Sequence, residues 1–231
     1  MIIEQPSAWL RLLYPKALWR IKGNDQRSKC NGKYPRTVYL TFDDGPIPEV
    51  TPWVLDVLDR YGIKATFFMV GDNIRKHPEE FRMVVERGHR IGNHTFNHLG
   101  GFTTHTVAYV RNIHKAQAIM KAELSKLNSQ FSIFNSQSPK PLFRPPHGWL
   151  RHRQYHFVKR HYRLVMWDLV TRDYSRRLNA EQVFANVCRY ARPGSIITFH
   201  DSLRSRDKLV TALPRSIEWL LQQGYTFATI D

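Results

Sequence analysis

The alternation of strand-like and helix-like segments is the feature of this sequence that most constrains its fold. Short apolar runs with strand character lie at residues 38–41, 65–70, 90–92, 142–144, 162–167, 195–199 and 225–230. Stretches with helical spacing of apolar residues separate them, at residues 48–61, 79–87, 103–128, 180–191 and 209–223. Such alternation over 231 residues predicts an α/β domain on a parallel sheet, either closed into a barrel or doubly wound.

Polar motifs follow two of these predicted strands: TFDDGP at residues 41–46 and HTFNH at residues 94–98. Adjacent side chains at a strand end point in different directions, so one of Asp43 and Asp44 can bind a metal ion while its neighbour faces a bound water. Two imidazoles and one carboxylate leave open positions for water and substrate, as catalytic metal sites require. Taken singly, Asp-Asp-Gly is typical of a turn, and a His pair is typical of ordinary core or surface histidine. Together the motifs predict a hydrolytic metal centre.

Composition supports a globular protein with a well-buried core, because 42% of the residues are apolar and 13% are aromatic. The formal net charge is +16, and the basic residues are scattered along the chain. No DNA- or RNA-recognition motif accompanies the charge, so we expect a solvated basic surface and no specific nucleic-acid partner. For Cys30 and Cys188, free thiols are favoured, and a single long-range disulfide is the alternative.

Residues 1–36 are predicted to form an N-terminal arm and polar linker, followed by one domain at residues 37–231. The apolar side chains of the amphipathic arm are Trp9, Leu10, Leu12, Leu13, Leu18 and Trp19. Pro15 interrupts the pattern, so packing onto the domain is favoured, and contact with a membrane interface is the alternative. With no apolar run of transmembrane length and no secretory signal pattern, we expect a cytoplasmic or inner-membrane-peripheral protein, with the cell envelope as the alternative.

Five motifs occur in a fixed order along the chain: TFDDGP at 41–46, HTFNH at 94–98, RPPHG at 144–148, DY at 173–174 and TFHD at 198–201. This ordered set resembles the polysaccharide deacetylase family, the NodB-homology carbohydrate esterases that include chitin and peptidoglycan deacetylases. The resemblance covers residues 37–231. It implies an α/β fold in the form of a distorted (β/α) barrel of about seven strands.

The resemblance also implies a role for each motif. Asp43 would be the catalytic base, oriented by Arg144, and His200 would be the general acid, supported by Asp173. The protein ligands of the metal would be Asp44, His94 and His98. The backbone amide after the two prolines would help to hold the oxyanion. The substrate-contacting residues would be Pro145, His147, Trp149, Tyr174 and Thr198.

Three residues depart from the family pattern. Val170 stands where the family often has the first acid of the fourth motif, and His147 replaces the usual aromatic residue after Pro-Pro. Thr198 replaces a leucine that usually lines the pocket for the acetyl methyl group, which makes that pocket smaller or more polar. Of the aromatic residues near the motifs, Tyr174 and Trp149 are expected to contact sugar, whereas Trp167 is expected in the core.

The implied activity is metal-dependent hydrolysis of N-acetyl groups on the amino sugars of a polysaccharide or glycoconjugate, so the expected partner is an N-acetylated glycan or oligosaccharide. One alternative is an O-acetyl polysaccharide esterase, because an ester is easier to cleave than an amide. The other alternative is a non-catalytic glycan-binding homologue. Two histidines and one aspartate suit Zn²⁺ first, while Co²⁺, Ni²⁺, Mn²⁺ and Fe²⁺ are chemically acceptable.

Overall fold

A computed structural model describes residues 4–21, 36–127 and 140–231, which form eight strands and eight α-helices. The strands are β1 (Arg36–Asp43), β2 (Thr66–Met69), β3 (Arg90–Asn93), β4 (Leu142–Phe143), β5 (Arg163–Leu164), β6 (Leu169–Val170), β7 (Ile196–His200) and β8 (Tyr225–Phe227). The helices are α1 (Ala8–Leu13), α2 (Thr51–Arg60), α3 (Gly71–Lys76), α4 (Pro78–Glu86), α5 (Thr106–Leu124), α6 (His152–His161), α7 (Ala180–Tyr190) and α8 (Arg206–Gln222).

The strands form one curved parallel sheet. Its order is β5-β4-β3-β2-β1-β7-β6, and β8 pairs beside the first residues of β1. All pairings between these named strands are parallel, so their carboxyl ends meet at one edge. This half-barrel with surrounding helices confirms the predicted α/β fold, a distorted barrel with seven strands in its main order.

An aromatic stack fixes the register of the central strands. Phe42 on β1 lies between Phe67 on β2 and Phe199 on β7, with ring centroids 5.0 and 6.0 Å apart, and all three side chains are fully buried. A shift of register by one residue would turn Phe42 out of the core and Asp43 into it. In the observed register Asp43 lies opposite His200. Packing of the strand interior therefore positions polar side chains at the strand ends.

Several elements differ from the sequence-based prediction. Helices α3 and α6 were not predicted, because α3 has only six residues and the exposed side chains of α6 are mostly basic, with few apolar residues to mark a period. Strand β6, with two residues, was also missed. The strand predicted at 162–167 is reduced to Arg163–Leu164, and after it Val165 forms an isolated parallel bridge with Leu18 of the arm. Residues 128–139, which include most of the predicted connector at 129–141, lie outside the described residues.

The N-terminal arm packs against the open side of the half-barrel. Next to β5, Leu18 accepts the Met166 N–H and donates its own N–H to Leu164, with both N···O distances at 2.8 Å. On the other edge, Glu4 accepts the N–H of Val170 in β6 at 2.9 Å. The arm therefore contacts both edge strands of the sheet. The predicted linker, with Cys30, falls almost wholly in residues 22–35, outside the described part of the chain.

Among the described residues, no helix combines the length and apolar character needed to cross a bilayer.

Candidate active site

A cleft of about 600 Å³ opens at the carboxyl ends of the strands. The sequence-predicted site residues that line it are Asp43, Asp44, His94, His98, Pro145, His147, Trp149, Tyr174, Thr198 and His200. The other two predicted residues, Arg144 and Asp173, are fully buried and contact Asp43 and His200. The structure thus brings all twelve predicted residues together at one site.

Asp44, His94 and His98 form a cluster of three metal-binding side chains whose ligand atoms lie within 4.8 Å of one another. The Asp44 Oδ1 atom is 3.7 Å from His94 Nε2 and 3.2 Å from His98 Nε2. Asp44 Oδ1 is buried and has no hydrogen-bond partner of its own among the described residues. A buried carboxylate oxygen that faces two imidazole nitrogens and lacks a donor fits a divalent cation.

The protonation states of this cluster also suit metal binding. His94 Nδ1 is 2.8 Å from the carbonyl oxygen of Arg144, which leaves Nε2 directed at Asp44. Burial lowers the pKa of His94 to about 4, so its imidazole is neutral at physiological pH. Burial by itself raises the pKa of Asp44, but the imidazoles of His98, His200 and His94 outweigh it and hold that pKa below its usual range. The Asp44 carboxylate is therefore ionised at neutral pH, as a metal ligand must be.

The loops that carry the site contain strained backbone. Asp44, Thr95, His98 and His147 are non-glycine residues with φ of 85°, 66°, 57° and 60°, in the left-handed region. Conformations of this kind cost of order 1–3 kcal/mol each and are concentrated at functional sites. In the loop after β1 this geometry turns Asp44 toward the histidines while Asp43, the last strand residue, stays beside β7.

Asp201 braces the turn that follows the two aspartates. Its carboxylate accepts the Gly45 N–H at 3.0 Å and the Thr51 hydroxyl at 2.7 Å. A Cβ atom on Gly45 would lie 2.0 Å from Asp201 Oδ2, so a side chain at this position would displace the carboxylate. Glycine at position 45 is therefore required by close approach rather than by a positive φ.

The fully buried Arg144 side chain contacts Asp43, which lines the cleft. Its guanidinium donates to Asp43 Oδ1 at 2.6 Å, to Thr41 Oγ1 at 2.8 Å and to the Met166 carbonyl at 2.8 Å, and it lies 4.1 Å above the ring of Phe68. Burial lowers the pKa of Arg144, and the adjacent Asp43 carboxylate opposes that effect. Three hydrogen bonds and a stacking contact fix the orientation of the guanidinium and hence of Asp43.

His200, which lines the cleft, is paired with the buried Asp173. Asp173 Oδ1 is 2.8 Å from His200 Nδ1, and Asp173 Oδ2 accepts the His200 backbone N–H at 2.7 Å. Burial alone would lower the pKa of His200, but Asp173, with help from Asp44 and Asp43, raises it to about 9. Since Nδ1 is occupied, the remaining ring nitrogen is the one available for proton transfer. At neutral pH the ring is protonated.

Thr198 is 99% buried, and its hydroxyl contacts the hydroxyl of Thr41. Thr41 donates its one hydroxyl proton to the Ile197 carbonyl and accepts a hydrogen bond from Arg144. The 3.1 Å contact between the two hydroxyls is therefore donated by Thr198. This donor is used inside the protein, which reduces the polarity that Thr198 adds to the cleft.

Sequence reasoning missed several residues of the cleft, namely Leu10, Gly148, Trp167, Ser202 and Arg204, while Val170, noted as a departure, also lines it. Trp167, expected in the core, is half-buried: it packs against a hydrophobic core cluster and also lines the cleft. It packs against Gly148, where a Cβ atom would lie 2.2 Å from the Trp167 ring. Leu10 comes from the arm, and no local sequence signal indicates that contact.

Comparison with known proteins gives the family. The family profile described as polysaccharide deacetylase matches residues 31–158 of this chain. The chain belongs to the polysaccharide deacetylase family. The deacetylase motifs identified in the sequence therefore lie, in the structure, around one cleft.

Relatives of this deacetylase act on glycans according to their names. The chain is 34% identical to a peptidoglycan-N-acetylglucosamine deacetylase of Bacillus cereus over 85% of this chain and 87% of the relative. It is 31% identical to the peptidoglycan-N-acetylmuramic acid deacetylase PdaA of Bacillus subtilis, over 85% of this chain and 70% of the relative. A solved peptidoglycan N-acetylglucosamine deacetylase, in complex with 4-naphthalen-1-yl-N-oxidanyl-benzamide, superposes with a TM-score of 0.78 at 28% identity, covering 97% and 94% of the two chains.

Proposed function

We propose that this polysaccharide deacetylase is a metal-dependent enzyme that hydrolyses N-acetyl groups on amino sugars of a polysaccharide or glycoconjugate. The observation that carries the proposal is the placement of three functional units around one cleft. These units are the Asp44/His94/His98 cluster, the Asp43 carboxylate and the His200 imidazole. Hydrolysis of an amide requires an activated carbonyl, a base for water and an acid for the leaving amine, and each unit fits one of these needs.

The metal would be held by the Asp44 carboxylate and the Nε2 atoms of His94 and His98. When bound, a divalent cation supplies Lewis-acid polarisation of the acetyl carbonyl and lowers the pKa of a bound water. The mixed nitrogen and oxygen donor set suits Zn²⁺ first, with Co²⁺, Ni²⁺, Mn²⁺ and Fe²⁺ acceptable. The buried Asp44 Oδ1, which has no hydrogen-bond partner in the described part of the chain, supports this assignment.

Proton transfer would be divided between two residues. Asp43, oriented by Arg144, would take a proton from the attacking water. His200, protonated through its pairing with Asp173, would give a proton to the departing amine, which is otherwise a poor leaving group. The backbone N–H of His147, after the two prolines, would donate to the oxyanion that develops on the acetyl carbonyl.

The glycan would lie along the cleft, whose lining includes Pro145, His147, Trp149, Tyr174 and Thr198. The Trp149 and Tyr174 rings supply flat apolar faces for sugar rings. Because the named relatives are peptidoglycan deacetylases, we propose N-acetylated peptidoglycan amino sugars as the substrate class. Such a substrate places the enzyme at the cell envelope, or at the membrane if it acts on a precursor.

Acetate release from N-acetylglucosamine oligomers and from peptidoglycan tests the proposal, measured with chelator and after addition of Zn²⁺ or Co²⁺. We expect release that chelator abolishes and metal restores, with one free amine formed per acetate. Release of acetate from O-acetylated xylan, without release from N-acetylated sugars, would instead support the esterase alternative. A tightly bound metal with no release from any acylated glycan would support the non-catalytic alternative.

A further inference from the structure

The N-terminal helix α1 presents an apolar face to solvent. Trp9, Leu12 and Leu13 are 81%, 66% and 55% exposed, and their spacing of three and four residues places them on one side of the helix. Leu10, on the same helix, lines the active-site cleft. Helix α1 therefore contributes Leu10 to the cleft lining, and it exposes an apolar patch formed by Trp9, Leu12 and Leu13.

Helix α1 is held firmly in this position. Arg11 donates to the fully buried carboxylate of Asp168 at 2.6 Å, and the Tyr14 hydroxyl both accepts the Leu150 N–H and donates to the Leu150 carbonyl, at 2.8 and 2.9 Å. Trp19 is buried in the same cluster. The inner side chains of the arm are thus fixed, and the exposure of Trp9, Leu12 and Leu13 is a property of the packed arm rather than of a loose end.

The neighbouring helix α6 is strongly cationic. It contacts the arm through Tyr155, whose ring lies 5.2 Å from that of Tyr14 and whose hydroxyl accepts the Lys16 N–H at 3.1 Å. Residues 151–163 contain five arginines and lysines, three histidines and no acidic residue. The exposed side chains among them are Arg151, His152, Arg153, His156, Arg160, His161 and Arg163. The arm that carries the apolar patch therefore contacts a helix whose exposed side chains are mostly arginine and histidine.

We propose that α1 and α6 form a docking surface for an anionic membrane. Apolar side chains that include a tryptophan, next to lysines and arginines, are the combination that binds the interface of anionic lipid bilayers. A soluble polyanion would match the charge of α6 but would leave Trp9, Leu12 and Leu13 in water, so the apolar patch favours a lipid surface. Docking through α1 would hold the cleft next to that surface, because Leu10 of the same helix lines it.

Sedimentation of the full chain with lipid vesicles tests this proposal independently of turnover. We expect binding to vesicles of mixed phosphatidylglycerol and phosphatidylcholine, weaker binding at high salt, and little binding to phosphatidylcholine alone. The triple variant Trp9→Gln/Leu12→Gln/Leu13→Gln should bind anionic vesicles at least about tenfold more weakly, because the three side chains can no longer enter the interface. The variant Arg153→Gln/Arg160→Gln should also bind more weakly.

A matched control is Val107→Gln/Val210→Gln/Leu221→Gln, which alters three exposed apolar residues on α5 and α8 and should bind like wild type. Circular dichroism and any acetate release from soluble oligomers should be the same in both triple variants as in wild type. Absence of wild-type binding to anionic vesicles would overturn the proposal. Binding that survives the α1 substitutions but is lost in Arg153→Gln/Arg160→Gln would also overturn it, in favour of a polyanion site. A wild-type dimer that the α1 substitutions dissociate would overturn it in favour of self-association.

Discussion

Arg144 and Asp43 form an ion pair that is almost completely withdrawn from solvent. The guanidinium donates to Asp43 Oδ1 at 2.6 Å, with Arg144 fully buried and Asp43 95% buried. Arg144 is also the residue whose carbonyl oxygen contacts His94 Nδ1. One residue thus orients the proposed base through its side chain and a proposed metal ligand through its backbone.

Removal of the Arg144 charge should destabilise the protein. The variant Arg144→Met has a similar volume but leaves the Asp43 carboxylate buried without its partner, and it removes donors from Thr41 and the Met166 carbonyl. We expect the free energy of unfolding to fall by about 3–5 kcal/mol, measured by urea denaturation. The control Arg87→Met breaks the exposed pairs with Asp56 and Asp59 and should cost about 1 kcal/mol or less. Equal losses in the two variants would contradict the prediction.

The Asp173→Asn variant should shift the pH dependence of turnover. As the proposed general acid, His200 must be protonated, so kcat should fall as pH rises through its pKa of about 9. Asp173 raises that pKa against the opposing effect of burial, so removal of its charge should lower the pKa and move the alkaline limb of the profile to lower pH. The measurement is kcat as a function of pH for both proteins. An alkaline limb at the same pH in the variant would argue against His200 as the acid.

Two substitutions should separate metal binding from turnover. Asp43→Asn leaves Asp44, His94 and His98 intact, so it should retain the metal while turnover falls by about 10²–10⁴-fold. His94→Ala removes one of three ligands and should lose both the metal and turnover. Metal content by atomic absorption, together with acetate release, distinguishes the two effects. Full activity in Asp43→Asn would exclude that residue as the base.

The sequence predicts much of the site because its residues fall in short contiguous motifs at strand ends. Asp43 and His200 come directly at the ends of β1 and β7, and parallel pairing brings these ends together whatever the helices between them do. The fold class is predictable for the same reason, since apolar strands and amphipathic helices alternate along the chain. Local pattern and parallel topology are sufficient for the fold class and for a metal centre at the strand ends, whereas the roles of Arg144, Asp173 and His200 come from the resemblance to the family.

The contribution of the arm could not be predicted in the same way. Arg11 and Asp168 are 157 residues apart in sequence and share no motif, yet they form a 2.6 Å ion pair. The amphipathic pattern identifies Leu10, Leu12 and Leu13 as one apolar set, but only tertiary packing decides that Leu10 lines the cleft while Leu12 and Leu13 face solvent. Helix α6 could not be predicted either, because its buried apolar side chains, Tyr155 and Val158, stand in a mostly basic sequence.

Substitution of Thr198 tests whether its hydroxyl contributes to binding of the acyl group of the substrate. Because that hydroxyl donates to Thr41 Oγ1, Thr198→Val keeps the shape of the pocket and removes one internal hydrogen bond, at a cost of about 0.5–1.5 kcal/mol in stability. We expect KM for N-acetylated oligomers to be unchanged. Thr198→Leu adds volume at a buried position and should cost about 1–3 kcal/mol by overpacking. A marked rise of KM in the valine variant would mean that the hydroxyl binds the substrate.

Removal of the Tyr14 hydroxyl tests how the N-terminal arm is anchored to the domain. The Tyr14 hydroxyl is buried and makes two hydrogen bonds to the backbone of Leu150, which precedes α6 and follows Trp149 of the cleft. Tyr14→Phe leaves a buried N–H and a buried C=O without partners, so we expect a loss of about 1–3 kcal/mol per unsatisfied group. The control Tyr61→Phe removes an exposed hydroxyl bonded to Glu218 and should have a small effect on the free energy of unfolding. If both variants unfold at the wild-type denaturant concentration, the arm does not contribute to stability through Tyr14.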